Sequence, residues 1–300
     1  MNRNAARILR LVLMGIALAV LVVALSGCGL KKTFTDGTGR TVSLKGAPKR
    51  IVSLNPAQTE TLFALGLGDR VVGVDTYSYR PAEAAKKEKV GDAFNLNLEK
   101  LVSLKPDLVI LAGSKDMPPS QLKDMDRLGI PAYVSGPSTV KEVLADIESL
   151  SKVLGAEKQG KELVAKMQKD LDAVTLTLPK DAGERPKVFI VVDQNLWTVG
   201  PGSFLNDVIA VAGGENVMHD AKQQYLQVSM EDLVAKDPDA IVVAIPEDQA
   251  EGLAARPAWA DLRAVKAGKV YFVDPDLVSR PGPAVVDGIK EVAACLSGGK

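Results

Sequence analysis

One histidine, His219, and two cysteines, Cys28 and Cys295, are the scarce ligands of this 300-residue chain. A zinc or iron–sulfur site needs about four such ligands, so none of the usual kind can be built, and no resident metal is expected. His219 lies in a polar stretch without a nucleophile elbow and reads as a surface residue. No Gly-x-x-x-x-Gly-Lys-Ser/Thr is present, and Gly200-Pro-Gly-Ser203 is only a turn, so the chain should not itself hydrolyse nucleotide. Charge of one sign is also missing: 37 basic residues face 37 acidic ones, and no basic face calls for nucleic acid. These absences argue for binding without a chemical step or a resident cofactor. Aromatics are only 4% of the residues, which makes their positions informative.

The N-terminus carries Arg3, Arg7 and Arg10 and then an apolar run from Leu11 to Leu25. That run is short for a transmembrane span of about 20 residues and suits an export signal over residues 1–27. It ends in Leu25-Ser26-Gly27-Cys28, which resembles a bacterial lipobox whose cysteine is lipidated and heads the mature chain. The alternatives are an ordinary signal with an incidental cysteine or an uncleaved anchor. With Cys28 lipidated, only Cys295 remains, so no intrachain disulfide is expected in an oxidising compartment. The expected location is extracytoplasmic, lipid-anchored on the outer face of the cell membrane or periplasmic. An apolar content of 46% supports a sizeable core in one large domain or two.

A repeat suggests two. Leu98-Glu-Lys-Leu-Val-Ser-Leu-Lys-Pro-Asp-Leu-Val-Ile-Leu111 recurs as Met230-Glu-Asp-Leu-Val-Ala-Lys-Asp-Pro-Asp-Ala-Ile-Val-Val243. Glu99/Glu231, Leu101/Leu233, Val102/Val234, Pro106/Pro238 and Asp107/Asp239 coincide. Each copy reads as a short helix, a Pro-Asp break and a buried strand.

Around the first copy, residues 28–48 read as a lipidated start and a small hairpin, and 49–155 as an α/β lobe. Strand Ile51–Leu54 leads into Asn55-Pro56-Ala57-Gln58, a capping-box arrangement. Strands at Val71–Val74, Leu108–Leu111 and Ala132–Val134 alternate with helices, the pattern of a parallel sheet. Thr139-Val-Lys-Glu142 is a second capping-box pattern. Residues 156–178 then predict one rigid linker helix, roughly 35 Å long at about 1.5 Å per residue. Residues 186–298 repeat the lobe, from strand Val188–Val192 to a final helix ending near Leu296.

In parallel sheets ligands bind beyond the carboxyl ends of the strands. Asn55, Tyr77, Tyr79, Phe94, Trp197, Tyr225 and Arg280 fall on loops there. Tyr and Trp join an apolar face to a polar edge and suit a bulky, partly polar ligand, and Arg280 could pair with an anionic group.

Lys49-Arg-Ile-Val-Ser-Leu-Asn-Pro-Ala-Gln-Thr-Glu60, Val71-Val-Gly-Val-Asp-Thr-Tyr-Ser-Tyr-Arg-Pro81 and Val273-Asp-Pro-Asp-Leu-Val-Ser-Arg-Pro-Gly-Pro283, with the repeat, resemble the substrate-binding proteins of metal-chelate ABC importers. The resemblance spans essentially the whole mature chain. It implies the class III periplasmic-binding fold of two α/β lobes joined by a long helix. It also implies a vitamin B12, ferric siderophore or haem ligand, and a permease dimer with cytoplasmic ATPase subunits as partner. The receptor is expected to be monomeric. Glu99 and Glu231 match the glutamates that dock the B12-binding branch onto its permease; on residue type alone, each is equally an acid favoured in a helix's first turn. Tyr77 and Tyr225 match corrin contacts of that branch, whereas Ala93 and Ala112 stand where it commonly has tryptophan. A corrinoid is the expected cargo, with a siderophore or haem as the alternative. An extracellular enzyme or signalling receptor on the same fold is the competing class.

Overall fold

The computed structural model describes residues 31–178 and 185–298. The export signal and Cys28 lie outside the described residues, as does much of the polar loop after the linker. No helix among the described residues is long and apolar enough to cross a membrane.

A hairpin of β1 (Lys32–Thr35) and β2 (Thr41–Leu44) precedes the first lobe and buries Val42 and Leu44 against it. The lobe runs β3 (Ile51–Leu54), α1 (Pro56–Ala64), β4 (Val71–Val74), α2 (Ala82–Ala85), β5 (Glu88–Lys89), α3 (Leu98–Ser103), β6 (Leu108–Ala112), α4 (Leu122–Leu128) and β7 (Ala132–Ser135). Its five strands are all parallel, in the order β5-β4-β3-β6-β7. Ile51, Val52, Val109 and Ile110 are fully buried because helices cover both faces, which explains their unbroken apolar runs.

After the connector come β8 (Lys187–Val191), β9 (Trp197–Val199), α7 (Phe204–Val211), β10 (Glu215–Asn216), β11 (Tyr225–Gln227), α8 (Met230–Lys236), β12 (Ala240–Val243), α9 (Glu251–Ala254), α10 (Arg263–Lys266), β13 (Val270–Phe272), α11 (Pro275–Ser279) and α12 (Val285–Leu296). The main sheet is again parallel, β10-β8-β12-β13. A separate antiparallel ribbon pairs β11 with β9.

The repeat is structural in detail. Lys105 and Asp237, each just before the proline, are both left-handed, with φ of 48° and 39°. Each Pro-Asp carboxylate then caps the start of the neighbouring central strand. Asp107 accepts from the Lys49 and Arg50 amides at 2.8 and 2.9 Å, and Asp239 accepts from the Lys187 amide at 2.9 Å. The aspartate therefore satisfies backbone donors where the strand begins.

The connector differs from a single strut. It is a helical hairpin, α5 (Val140–Leu154) and α6 (Glu157–Thr175), turned at the left-handed Gly155. Val140, Val143 and Ile147 of α5 join the second-lobe core, whereas Leu150, Val153 and Leu154 join that of the first. The α6 helix returns to the second lobe through Met167, Leu171 and Val174. Both helices thus bridge the lobes; the 19 residues of α6 span about 28 Å.

Both expected capping boxes form only in half. Asn55 and Thr139 accept from the helix amides, but Gln58 turns to Ser135 and Asp146, and Glu142 accepts from Ser138. Ser135 and Asp146 lie outside the local sequence pattern, whereas Ser138 immediately precedes the Thr139 cap. A complete box forms at Ser229 and Asp232.

Candidate functional site

The carboxyl ends of both parallel sheets carry exposed aromatics. After β4, the Asp75 carboxylate accepts from the Tyr77 amide at 2.7 Å and folds the loop so that Tyr77 stands out, 56% exposed. After β5, Asp92 accepts from the Phe94 and Asn95 amides, both at 2.8 Å. Gly91 sits at φ 102° in that turn, where a Cβ would lie 2.0 Å from the Asn95 carbonyl, so only glycine fits. The tight turn presents Phe94 at 92% exposure. Gln121 donates to the Ala93 carbonyl and steadies it.

In the second lobe, Trp197 and Tyr225 belong to the β9–β11 ribbon and not to loops. Trp197 pairs with Gln227, two residues from Tyr225, so the two rings occupy diagonal positions on one ribbon face. They are 42% and 51% exposed, and partial burial still lifts the Tyr225 phenol above its ordinary range. The Asn195 amide donates to Asp193, and the Asn195 carbonyl accepts from Gln227.

Asn55 is spent otherwise. It is buried, its side-chain oxygen accepts from the Ala57 and Gln58 amides, and its amide nitrogen reaches the Ser135 carbonyl. Its chemistry here is that of a helix cap.

Arg280 is not open to solvent either. It lies at the seam between the lobes, 9% exposed, and donates to Glu60 of α1 at 3.0 Å and to Asp276 at 2.8 Å. Its guanidinium also donates to the Tyr77 carbonyl at 3.3 Å and stacks 4.8 Å from the Tyr79 ring centre. The Tyr79 hydroxyl donates to Asp276, which pushes its own pKa up. Arg80 adds a second bridge to Asp274 at 3.0 Å. Burial raises the Glu60 carboxyl above its ordinary value, although Arg280 pulls the other way. The lobes close tightly here: a Cβ on Gly282 would lie 2.9 Å from the Ala57 carbonyl. Tyr79 and Arg280 therefore build the seam. Glu60, Asp274 and Asp276 do so too; Glu60 lies 220 positions from Arg280 and Asp274 lies 194 from Arg80, separations that hide both pairs from sequence reasoning.

Glu99 and Glu231 stand exposed in the first turns of α3 and α8, without ion-pair partners among the described residues. Helices between parallel strands begin at the carboxyl ends, so both carboxylates flank the aromatic face. Asn97, the cap of α3, donates its amide to the Val90 carbonyl just past β5 and fixes that placement. Val102 and Val234, one turn on, are also exposed.

No group of three or more metal-ligating side chains occurs among the described residues. A cavity of about 610 Å³ lies at the opposite, amino ends of the first-lobe strands, between Lys31, Lys45, Lys49, Asp107 and Pro131. It shares no residue with the aromatic face.

Comparison with known proteins agrees with this architecture. A family model described as periplasmic binding protein matches residues 51–277. The ABC transporter substrate-binding lipoprotein YvrC of Bacillus subtilis is 38% identical, covering 93% of this chain and 95% of its own. A vitamin B12-binding protein of Vibrio cholerae is 30% identical over 92% of this chain and 98% of its own. Among solved structures, a possible iron-binding periplasmic solute-binding protein of Staphylococcus epidermidis superposes with a TM-score of 0.72 at 30% identity, covering 83% and 99% of the two chains. The periplasmic heme-binding protein RhuT of Roseiflexus gives 0.73 at 26%, covering 84% and 98%. With two parallel-sheet lobes, a helical bridge and a match over most of its length, the chain belongs to the periplasmic binding protein family.

Proposed function

We propose that this protein is the extracytoplasmic, lipid-anchored receptor of an ABC importer, and that it captures a corrinoid between its lobes. The observation that carries this reading is the set of exposed rings, Tyr77 and Phe94 on one lobe and Trp197 and Tyr225 on the other, at the carboxyl ends of two parallel sheets. Four rings left in water by a chain so poor in aromatics, three of them amphipathic, suit a large, flat chelate more than a small ion. The B12-binding relative and the lipoprotein relative support the class of cargo and the anchor at Cys28. A ferric siderophore or haem is the second reading, favoured by the iron-binding and heme-binding structural neighbours.

Titration with cyanocobalamin, a ferric hydroxamate and haem, followed by tryptophan fluorescence and ligand absorbance, tests the proposal. Saturable quenching by cobalamin is expected, because Trp197 is exposed whereas Trp259 is buried. Absence of saturable binding by all three removes the chelate reading.

A further inference from the structure

The charges of the cleft narrow the class of cargo. This step rests on the reading of the aromatic face as a chelate site. The two seam arginines lie beside that face, and both are ion-paired. Arg280 is held by Glu60 and Asp276, and Arg80 by Asp274, so three carboxylates meet two guanidinium groups. Lys89 donates to the Ser78 carbonyl at 2.6 Å beside the buried Asp75.

What remains at the carboxyl ends is acidic. In the first lobe, Asp92 and Asp116 outnumber Lys115. In the second, Asp193 and the exposed Glu247 and Asp248 after β12 stand against Lys222 and Arg256, whose guanidinium already donates to the Gln194 carbonyl. Among these residues each lobe and the seam carries one carboxylate more than it has cations, and Glu99 and Glu231 at the margins of the face add to the acidic side. A carboxylate-rich rim repels an anion and exerts no such repulsion on a neutral or cationic ligand.

We propose that the cleft selects chelates carrying no net negative charge, either neutral corrinoids or neutral and cationic ferric hydroxamates. It discriminates against haem, whose two propionates are ionised, and against ferric tricatecholates. Arg280, which would recognise such anions if free, is masked by Glu60 and Asp276.

The test is a titration of the detergent-solubilised full chain with four probes: cyanocobalamin, ferrioxamine B, haem and a ferric tricatecholate, each referenced to detergent alone. Either of the first two should saturate, and the two anions should bind at least about 100-fold more weakly, a gap of about 2.7 kcal/mol. Glu60→Gln and, separately, the less buried Asp276→Asn each remove one of the two carboxylates on Arg280, leave its charge half-compensated, and should tighten the anionic probes by about tenfold while leaving the neutral probe unchanged. Anionic probes binding as tightly as the neutral one, or either folded variant leaving anion affinity unmoved, overturns the proposal. If none of the four binds, the chelate reading falls, and this inference with it. Binding by cyanocobalamin alone identifies a corrinoid receptor, and by ferrioxamine alone a hydroxamate receptor; both outcomes uphold the charge rule.

Discussion

Arg280 of the second lobe and Glu60 of the first meet at 3.0 Å, each 9% exposed, and this contact welds the lobes on the side where Tyr77 emerges. A buried pair is a weak source of net stability, but breaking it by removing one partner strands the other charge. Arg280→Ala should cost about 3–5 kcal/mol in urea unfolding. Glu60→Gln, which keeps a hydrogen-bond acceptor for Arg280, should cost far less. Equal losses in the two variants would show that packing, and not the stranded charge, holds the seam.

Removing the cleft rings should separate binding from folding. Tyr77, Trp197 and Tyr225 are about half exposed, so alanine at each should change stability by less than about 0.5 kcal/mol. Each should weaken the cognate chelate by about tenfold to 100-fold, as large aromatic contacts do. A substitution that lowers the unfolding midpoint in step with affinity would mark that ring as a core cover.

Much of the fold was legible in the sequence because the same local devices recur in both halves. The Pro-Asp breaks 132 residues apart announced two lobes, and the structure gives them matching left-handed residues and matching strand-start caps. The connector was half legible: its apolar spacing marked a helix, but only packing shows that α5 bridges as well. The β9–β11 ribbon escaped because strands of three residues are too short for a period to register. At the site, the exposed rings could be found from their rarity and their place after strands. The fates of Asn55 and Arg280 could not, since Ser135 and Glu60 reach them through tertiary contacts that no local pattern encodes; only the Asp276 partner of Arg280, four residues away, lay within local reach.

Acid should favour this fold at one position below the cleft. Asp75 is buried, one of its carboxylate oxygens has no partner, and burial raises its pKa. An acid raised in the native state binds more protons there than in the unfolded chain. Its contribution therefore falls as pH rises from the unfolded value of about 3.9 through the raised native value, and is least favourable at neutral pH. Asp75→Asn keeps an oxygen for the Tyr77 amide and removes this titration. Urea unfolding at about pH 4 and about pH 7.5 should show the variant gaining on the parent at the higher pH. A difference between the two proteins that is constant with pH would mean that Asp75 titrates alike in the native and unfolded states.

The paired glutamates should control delivery without controlling capture. Glu99 and Glu231 are exposed, carry no ion pair among the described residues, and open helices at the same end of each lobe as the aromatic face. One turn after each, Val102 and Val234 are 43% and 41% exposed, so each lobe presents the same acid-and-valine pair. Two such pairs on lobes held by a helical hairpin match a partner with two-fold symmetry, which a permease dimer supplies. Helix capping alone would explain an acid there and would leave a double variant transporting normally. The Glu99→Ala/Glu231→Ala protein should bind its chelate with unchanged affinity and lose uptake in cells, with each single variant intermediate. Val102→Ser/Val234→Ser should weaken uptake less, because partly exposed valines give up less than about 1 kcal/mol each. Normal uptake by the double glutamate variant would reassign both acids to capping; lost chelate affinity would place them in the cleft instead.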